Sequence, residues 1–302
     1  MRSSYDASRQ SPDAPVCAII ACLRISFCGV RGSTPAPGKD FVRYGGHTSC
    51  LALTADGADA PALVLDAGAG LRKVTAMLDG AAFTGTILLS HLHWDHTLGL
   101  PFFAAADRAD SQPTVLLPEQ DSGLDAASVL TGVMQPPYFP VKPTQLRGQW
   151  AFATVAPGEH QIEGFTVLAR EIPHKGGRTF GYRVSDSHST LTYMPDHCPT
   201  ALGPGEHGFG EYHPAAIALA HDADLLVHDA QLFPEELAAE ADFGHAVADY
   251  SVELARLVGA HSVALFHHRY TRTDVQLDEL AQRLAGDSPH VTVAAEDTVV
   301  QL

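Results

Sequence analysis

Cysteine is scarce and scattered in this chain: five residues in 302 (Cys17, Cys22, Cys28, Cys50 and Cys198), with no C-x-x-C spacing among them. An odd set of this kind argues against a disulfide framework and favours a reducing compartment, and none of the five has the surroundings of a nucleophile. Positive charge is also short. Nineteen Lys and Arg face 35 Asp and Glu, a net charge of −16, which opposes the broad phosphate-backbone footprint of nucleic-acid binders. Long nucleic acid is therefore not an expected partner. Long apolar runs are missing too: no stretch approaches the roughly 20 apolar residues of a membrane-spanning helix. Val16 to Leu23 is the only candidate targeting segment, but it is short, follows a proline-containing leader and lacks a clear cleavage site. The expected location is cytoplasmic, with no membrane partner.

What is present suits one large domain or two, since a domain averages roughly 100 to 200 residues. A hydrophobic share of 45% supports a substantial core. The polar opening lacks periodicity and reads as a disordered leader, so residues 1–23 are set apart from a domain at 24–302. Strands are expected over Ile25 to Val30, Leu51 to Thr54, Ala62 to Leu65 and Thr86 to Leu89, then over Leu191 to Tyr193, Ala223 to His228 and Ser262 to Phe266. A helix is expected over Ala246 to Val258, ending before Gly259, and a last one after a capping box at Thr273 and Gln276, stopping at Gly286. Thr131 to Pro143, with four prolines plus Tyr138 and Phe139, suits either an irregular loop over a site or a packed surface connection. There is no internal repeat, linker or low-complexity tract.

The densest chemistry lies in Ser90-His91-Leu92-His93-Trp94-Asp95-His96, where three imidazoles and a carboxylate fall within six residues. Side chains two apart on a strand share a face, so His91 and His93 point together as the strand ends. A turn into a helix would bring Asp95 and His96 beside them to serve a second ion. Histidine nitrogen and carboxylate oxygen are ligands zinc accepts, with manganese and iron as substitutes. Hydrolysis is the first hypothesis.

Further metal-ligand types lie at expected strand ends, where catalytic groups of layered α/β folds collect. Asp66 closes Leu63-Val64-Leu65 and precedes two glycines that permit close backbone approach. His174 follows Ile172-Pro173, Asp196 follows a strand through Met194-Pro195, and His267 and His268 end Val263-Ala264-Leu265-Phe266. Strand alternation lets only one of the last two face the metals, and His267 is chosen by its position after the apolar run.

The ordered set Asp66, His91-x-His93-x-Asp95-His96, His174, Asp196 and His267 resembles the metallo-β-lactamase superfamily over residues 24–302. The resemblance implies an α/β fold, a four-layer αβ/βα sandwich with a dinuclear metal site at one edge. One ion would sit on His91, His93 and His174, the other on Asp95, His96 and His267, with Asp196 bridging and Asp66 orienting a ligand. True β-lactamases usually carry cysteine where Asp196 stands, and Cys198 is not its equivalent. Val227-His228-Asp229-Ala230-Gln231-Leu232-Phe233 with Gly244-His245-Ala246 is similar to paired motifs of ribonuclease Z and related phosphodiesterases. There the later histidine protonates the leaving oxygen and the earlier acid, a glutamate in ribonuclease Z, supports it. Carried over, His245 is the general acid and the shorter Asp229 its partner. The opening Cys28-Gly29-Val30-Arg31-Gly32-Ser33-Thr34-Pro35 with Tyr44-Gly45-Gly46-His47-Thr48-Ser49-Cys50 is similar to a small bacterial group that includes the cyclic phosphodiesterase of phosphonate breakdown. That group commonly has Asn in place of His47, which leaves His47 as a substrate contact or a turn residue. Relatives there are often dimers, so the resemblance implies a homodimer.

The expectation is a dinuclear metal-dependent phosphodiesterase, with two divalent ions, zinc foremost, acting on small or cyclic phosphodiesters such as cyclic nucleotides. Ribonuclease Z grips transfer RNA with a protruding arm, and no long Gly, Pro and Lys-rich insertion suits that role here. Tyr138 or Phe139 would stack on a base, and Arg31, Lys175, Arg178 and Arg269 are candidate phosphate contacts. Competing readings are a lactonase or thioester hydrolase on the same metals, a noncatalytic ligand sensor, and an RNA 3′-processing nuclease.

Overall fold

The structure, a computed structural model, describes residues 23–286 and 288–302. The expected leader lies outside the described residues except for Leu23, which is fully buried and accepts a hydrogen bond from the Leu302 N–H. Leu23 thus packs as part of the core between the sheets.

Alternation along the strands decides the architecture. Leu51 and Leu53 face one apolar cluster while Cys50 and Ala52 face another, and Leu63 and Leu65 are likewise separated from Val64. Leu225 and Val227 share the first cluster and Leu226 joins a third. Strands apolar on both faces need cover on both sides, and each sheet has it. One seven-stranded sheet runs in the order Val299–Gln301, Arg24–Gly29, Cys50–Thr54, Leu63–Leu65, Thr84–Leu88, Gln112–Pro118, Ala151–Val155. The other runs His290–Val293, Ser262–Phe266, Leu225–Asp229, Thr190–Met194, Thr179–Ser185, Phe165–Ile172, Gly158–Ile162. Their facing sides share a core containing Phe27, Phe180, Tyr182, Tyr193 and Phe266. Helices Leu71–Val74 and Ala126–Thr131 cover the first sheet. Helices Pro214–Ala220, Ala248–Leu257 and Asp274–Leu284 cover the second. This is the four-layer αβ/βα sandwich.

Register sets the rim where the functional residues gather. Leu65 pairs with Leu88 in parallel, Met194 with His228, and Asp229 with Phe266. The residues that follow therefore leave each sheet at one level, the carboxyl ends of its parallel strands. Both late helices match the sequence pattern, shortened at their ends to Ala248–Leu257 and Asp274–Leu284. At Thr273 the expected capping box forms: its N–H donates to Gln276 Oε1 at 3.0 Å and its hydroxyl accepts the Gln276 N–H. Thr131 to Pro143 is an irregular connection after Ala126–Thr131 that packs beside the rim.

Candidate metal centre

The strand carrying the histidine-rich run stops at Leu88, sooner than expected, so His91 and His93 lie on the loop beyond it. They still share a side, with ring centroids 4.4 Å apart. The chain then makes the one-turn helix Trp94–Thr97, which turns Asp95 and His96 inward. Three rim residues other than glycine hold left-handed backbone: Ser33 (φ +66°), Asp66 (+60°) and His267 (+58°). Such conformations are costly for side-chain-bearing residues and concentrate at functional sites. Gly68 is required by contact, since a Cβ there would lie 2.3 Å from the Asp95 carbonyl oxygen.

The ligand atoms converge in three overlapping groups: His91, His93, His174 and Asp196; Asp95, His96 and His267; and Asp196, His245 and His267, which shares a residue with each of the others. Asp196 faces the first two: its Oδ2 lies 3.6 Å from His91 Nε2 and 3.4 Å from His174 Nε2. Its Oδ1 lies 3.1 Å from the Nε2 atoms of His96 and His267. Asp95 Oδ2 lies 3.2 Å from His267 Nε2 and accepts the Ser33 N–H at 2.7 Å. His268, by contrast, turns away and donates from Nε2 to the Ala294 carbonyl.

Outer hydrogen bonds fix which nitrogen each ring presents. His96 Nδ1 donates to Asp66 Oδ2 at 2.7 Å and His174 Nδ1 to the Gly244 carbonyl at 2.7 Å, leaving both Nε2 lone pairs aimed inward. Asp66 is itself saturated by the Ser90 N–H, the Ser90 hydroxyl and the Tyr193 hydroxyl. It orients His96 and reaches no cleft. Burial holds His91 well below the ordinary histidine value, lowers His93, and brings His174 down to about 4. Burial thus favours the neutral form of these three rings, the form a metal ligand requires. At His96 burial opposes charge, but Asp196, Asp95 and Asp66 outweigh it and push the ring well up. The residues fit divalent cations. His91 Nε2 and Asp196 Oδ1 are buried without any hydrogen-bond partner, a costly state that a cation would relieve.

His245 stands at the edge of the cluster, just before the helix Ala248–Leu257. Its Nδ1 donates to Asp229 Oδ2 at 2.9 Å, so the shorter acid does span the gap. Asp229 is held by the N–H groups of His197, Gln231 and Ala246. Burial works against the imidazolium, but Asp229, then Asp196 and Asp95, push His245 up to about 9. It borders a cleft of about 350 Å³ together with Ser33, His93, Trp94, Asp95 and Asp196.

The candidate phosphate contacts are engaged elsewhere. Arg31 is fully buried, with its guanidinium bonded to the carbonyls of Gly45, Arg269 and Arg272, so it braces the rim from within and the expectation for it is corrected. Lys175 donates to the Asp242 carbonyl, Arg178 pairs with Glu171, and Arg269 pairs with Glu240 and Glu236. His47 lies in the loop before Cys50–Thr54, where its ring and N–H both bond Glu296 and its carbonyl accepts from Val30 and Arg31. Cys198 is buried near Thr200. Sequence reasoning missed Ser33, Tyr193, His197 and Trp94. A tyrosine on the core face of a strand, needing a partner for its hydroxyl, was the only available signal among them.

Fold and rim together define a metal-binding hydrolase. The chain belongs to the beta-lactamase superfamily domain family, whose profile matches residues 62–268. It is similar to a protein named ribonuclease Z from Gemmatimonas aurantiaca, 24% identical over 93% of this chain and 96% of that one. Among solved structures, the metallo-beta-lactamase fold protein YhfI from Bacillus subtilis superposes with a TM-score of 0.68 at 17% identity, covering 93% of this chain and 100% of that one. A diphosphatase from the PhnP family superposes at 0.63 with 16% identity, over 93% and 98% of the two chains. The superpositions bear out the expected fold, and the name of the Gemmatimonas relative agrees with the resemblance to ribonuclease Z. The name ribonuclease Z runs against the expectation that long nucleic acid is no partner. No helix among the described residues is long and apolar enough to cross a membrane.

Proposed function

We propose that the chain is a dinuclear metal-dependent phosphodiesterase acting on small or cyclic phosphodiesters. The observation that carries this reading is the His245–Asp229 pair, hydrogen-bonded at 2.9 Å beside the ligand cluster. Hydrolysis of a lactone or thioester needs such an acid less than expulsion of a sugar alkoxide does. His91, His93, His174 and Asp196 would hold one cation, and Asp95, His96, His267 and Asp196 the other. Zinc, manganese or iron bound there would supply Lewis acidity toward phosphoryl oxygens and a water acidified to a pKa of about 7. His245 holds its proton on the ring while Asp229 fixes the ring's direction, so the free Nε2 can hand a proton to the departing oxygen. Asp66, through His96, and Ser33, through Asp95, keep two ligands in place.

Removing His245 should cost about 10² to 10⁴ in rate on 2′,3′-cyclic AMP, whose leaving group is an alkoxide. The same change should cost far less on bis-p-nitrophenyl phosphate, whose phenolate leaves without help. Equal losses on both substrates, or no turnover by metal-loaded protein, would overturn the assignment.

A second reading, an RNA 3′-processing nuclease, is favoured by similarity to proteins named ribonuclease Z along nearly the whole chain. The net charge of −16 and the tight turn joining Thr179–Ser185 to Thr190–Met194 support the small substrate instead. Specific cleavage of a precursor transfer RNA transcript would reverse that order.

A further inference from the structure

Beside the metal cleft runs a second groove of different character. Trp94, Phe102 and Tyr138 expose 73%, 64% and 78% of their surfaces there. With Leu98, Val133 and Phe139 they enclose about 230 Å³, and no residue lining it carries a charge. The far wall is held in place: Phe139 meets Phe102 edge-on at 6.0 Å and 87°, and the N–H groups of Tyr138 and Phe139 both donate to the Gln135 carbonyl. Trp94 borders both spaces, because it sits between His93 and Asp95 on the one-turn helix that supplies ligands to the cluster.

Converging exposed aromatics mark a binding surface. A protein partner and an aromatic part of the substrate are the two occupants to weigh. Continuity with the metal cleft through a single side chain favours the substrate, and so does size. The volume is below the roughly 300 to 1,000 Å³ of pockets that take a whole drug-sized ligand, which suits one ring system attached to a group lying in the neighbouring cleft.

We propose that this groove is the subsite for a nucleobase, or a comparable flat aromatic group, carried by the phosphodiester substrate, with Trp94, Phe102 and Tyr138 selecting it. This rests on the phosphodiesterase reading for where the phosphate lies. The walls offer ring faces and few polar atoms, so they select for a ring without distinguishing one base from another.

Two measurements on the zinc-reconstituted full chain test it. The first needs no turnover. The chain has two tryptophans, so in a Trp150→Phe variant all indole fluorescence comes from Trp94. Saturable quenching by 2′,3′-cyclic AMP, absent with ribose 5-phosphate and weakened about tenfold by Tyr138→Ala, is the expected result. The second compares kcat/KM for bis-p-nitrophenyl phosphate with that for methyl p-nitrophenyl phosphate, which share a leaving group. Phe102→Ala and Tyr138→Ala, both outside the ligand-bearing turn itself, should each lower that ratio about tenfold. Equal quenching by ribose 5-phosphate, or an unmoved ratio, overturns the subsite. Absence of turnover in the parent chain would strike the phosphodiesterase reading, while the fluorescence titration still decides the groove. Conversion of a dimer to monomers by Phe102→Ala, without base-dependent quenching, would mark the groove as a protein interface and also overturn the proposal.

Discussion

At the scale of single residues, the rim depends on side chains that never meet the substrate. Asp229 is the clearest case. Its carboxylate faces His245 and raises that ring to about 9, against burial. A raised value means the proton is present at neutral pH and is lost as pH climbs toward it, so activity should fall on the alkaline side, at or below about pH 9 because bound cations oppose the charge. Asp229→Asn removes the stabilising carboxylate, so the falling limb in a pH–rate profile should move toward lower pH, with kcat down about 10- to 100-fold. An unmoved limb would separate Asp229 from proton delivery. Tyr193→Phe deletes one donor to buried Asp66 and should cost about 1 kcal/mol of stability, read by denaturant unfolding. Arg31 shows where residue-level reading fails. A cation in a Gly-rich turn looks available to phosphate, and only the three backbone carbonyls that converge on it, from segments far apart in sequence, show otherwise.

At the scale of elements, much was legible because strands apolar on both faces leave a plain signature. Leu63-Val64-Leu65 and Ser262–Phe266 stand where the apolar runs predicted. The positions of His91, His93, Asp95 and His96 followed from a strand giving way to a turn of helix, although the strand ends sooner than alternation suggested. Local periodicity could not reveal the left-handed backbone at Ser33 or its N–H bond to Asp95. That contact joins residues 62 positions apart and exists only once the loops pack. The loop Ala67-Gly68-Ala69-Gly70 is a sharp test of such packing. A methyl group on Gly68 would meet the Asp95 carbonyl, the Thr48 hydroxyl and the Ser49 carbonyl, all within 2.7 Å. Gly68→Ala should destabilise the chain by about 1–3 kcal/mol and lower bound metal, measured by elemental analysis on the same sample. Full metal content with an unchanged Tm would show that the loop yields freely.

At the scale of the whole molecule, the ligands divide between the two sheets. The candidate ligands His91, His93, Asp95 and His96 follow a strand of the first, and His174, Asp196 and His267 follow strands of the second. Each cation at a thousandfold excess over its Kd would add about 4 kcal/mol to folding. For a chain of this size, chelation should lower Tm by about 10 °C, and calorimetry with and without chelator would measure it. A negligible change would mean the cluster is already satisfied without ions. This division has a consequence for assembly. Neither half of the polypeptide owns a complete coordination sphere, so a nascent or proteolysed half cannot scavenge ions tightly by itself. Once strands of both sheets have docked, cations held by these residues would act as rivets across the seam between two pieces that were made at different times.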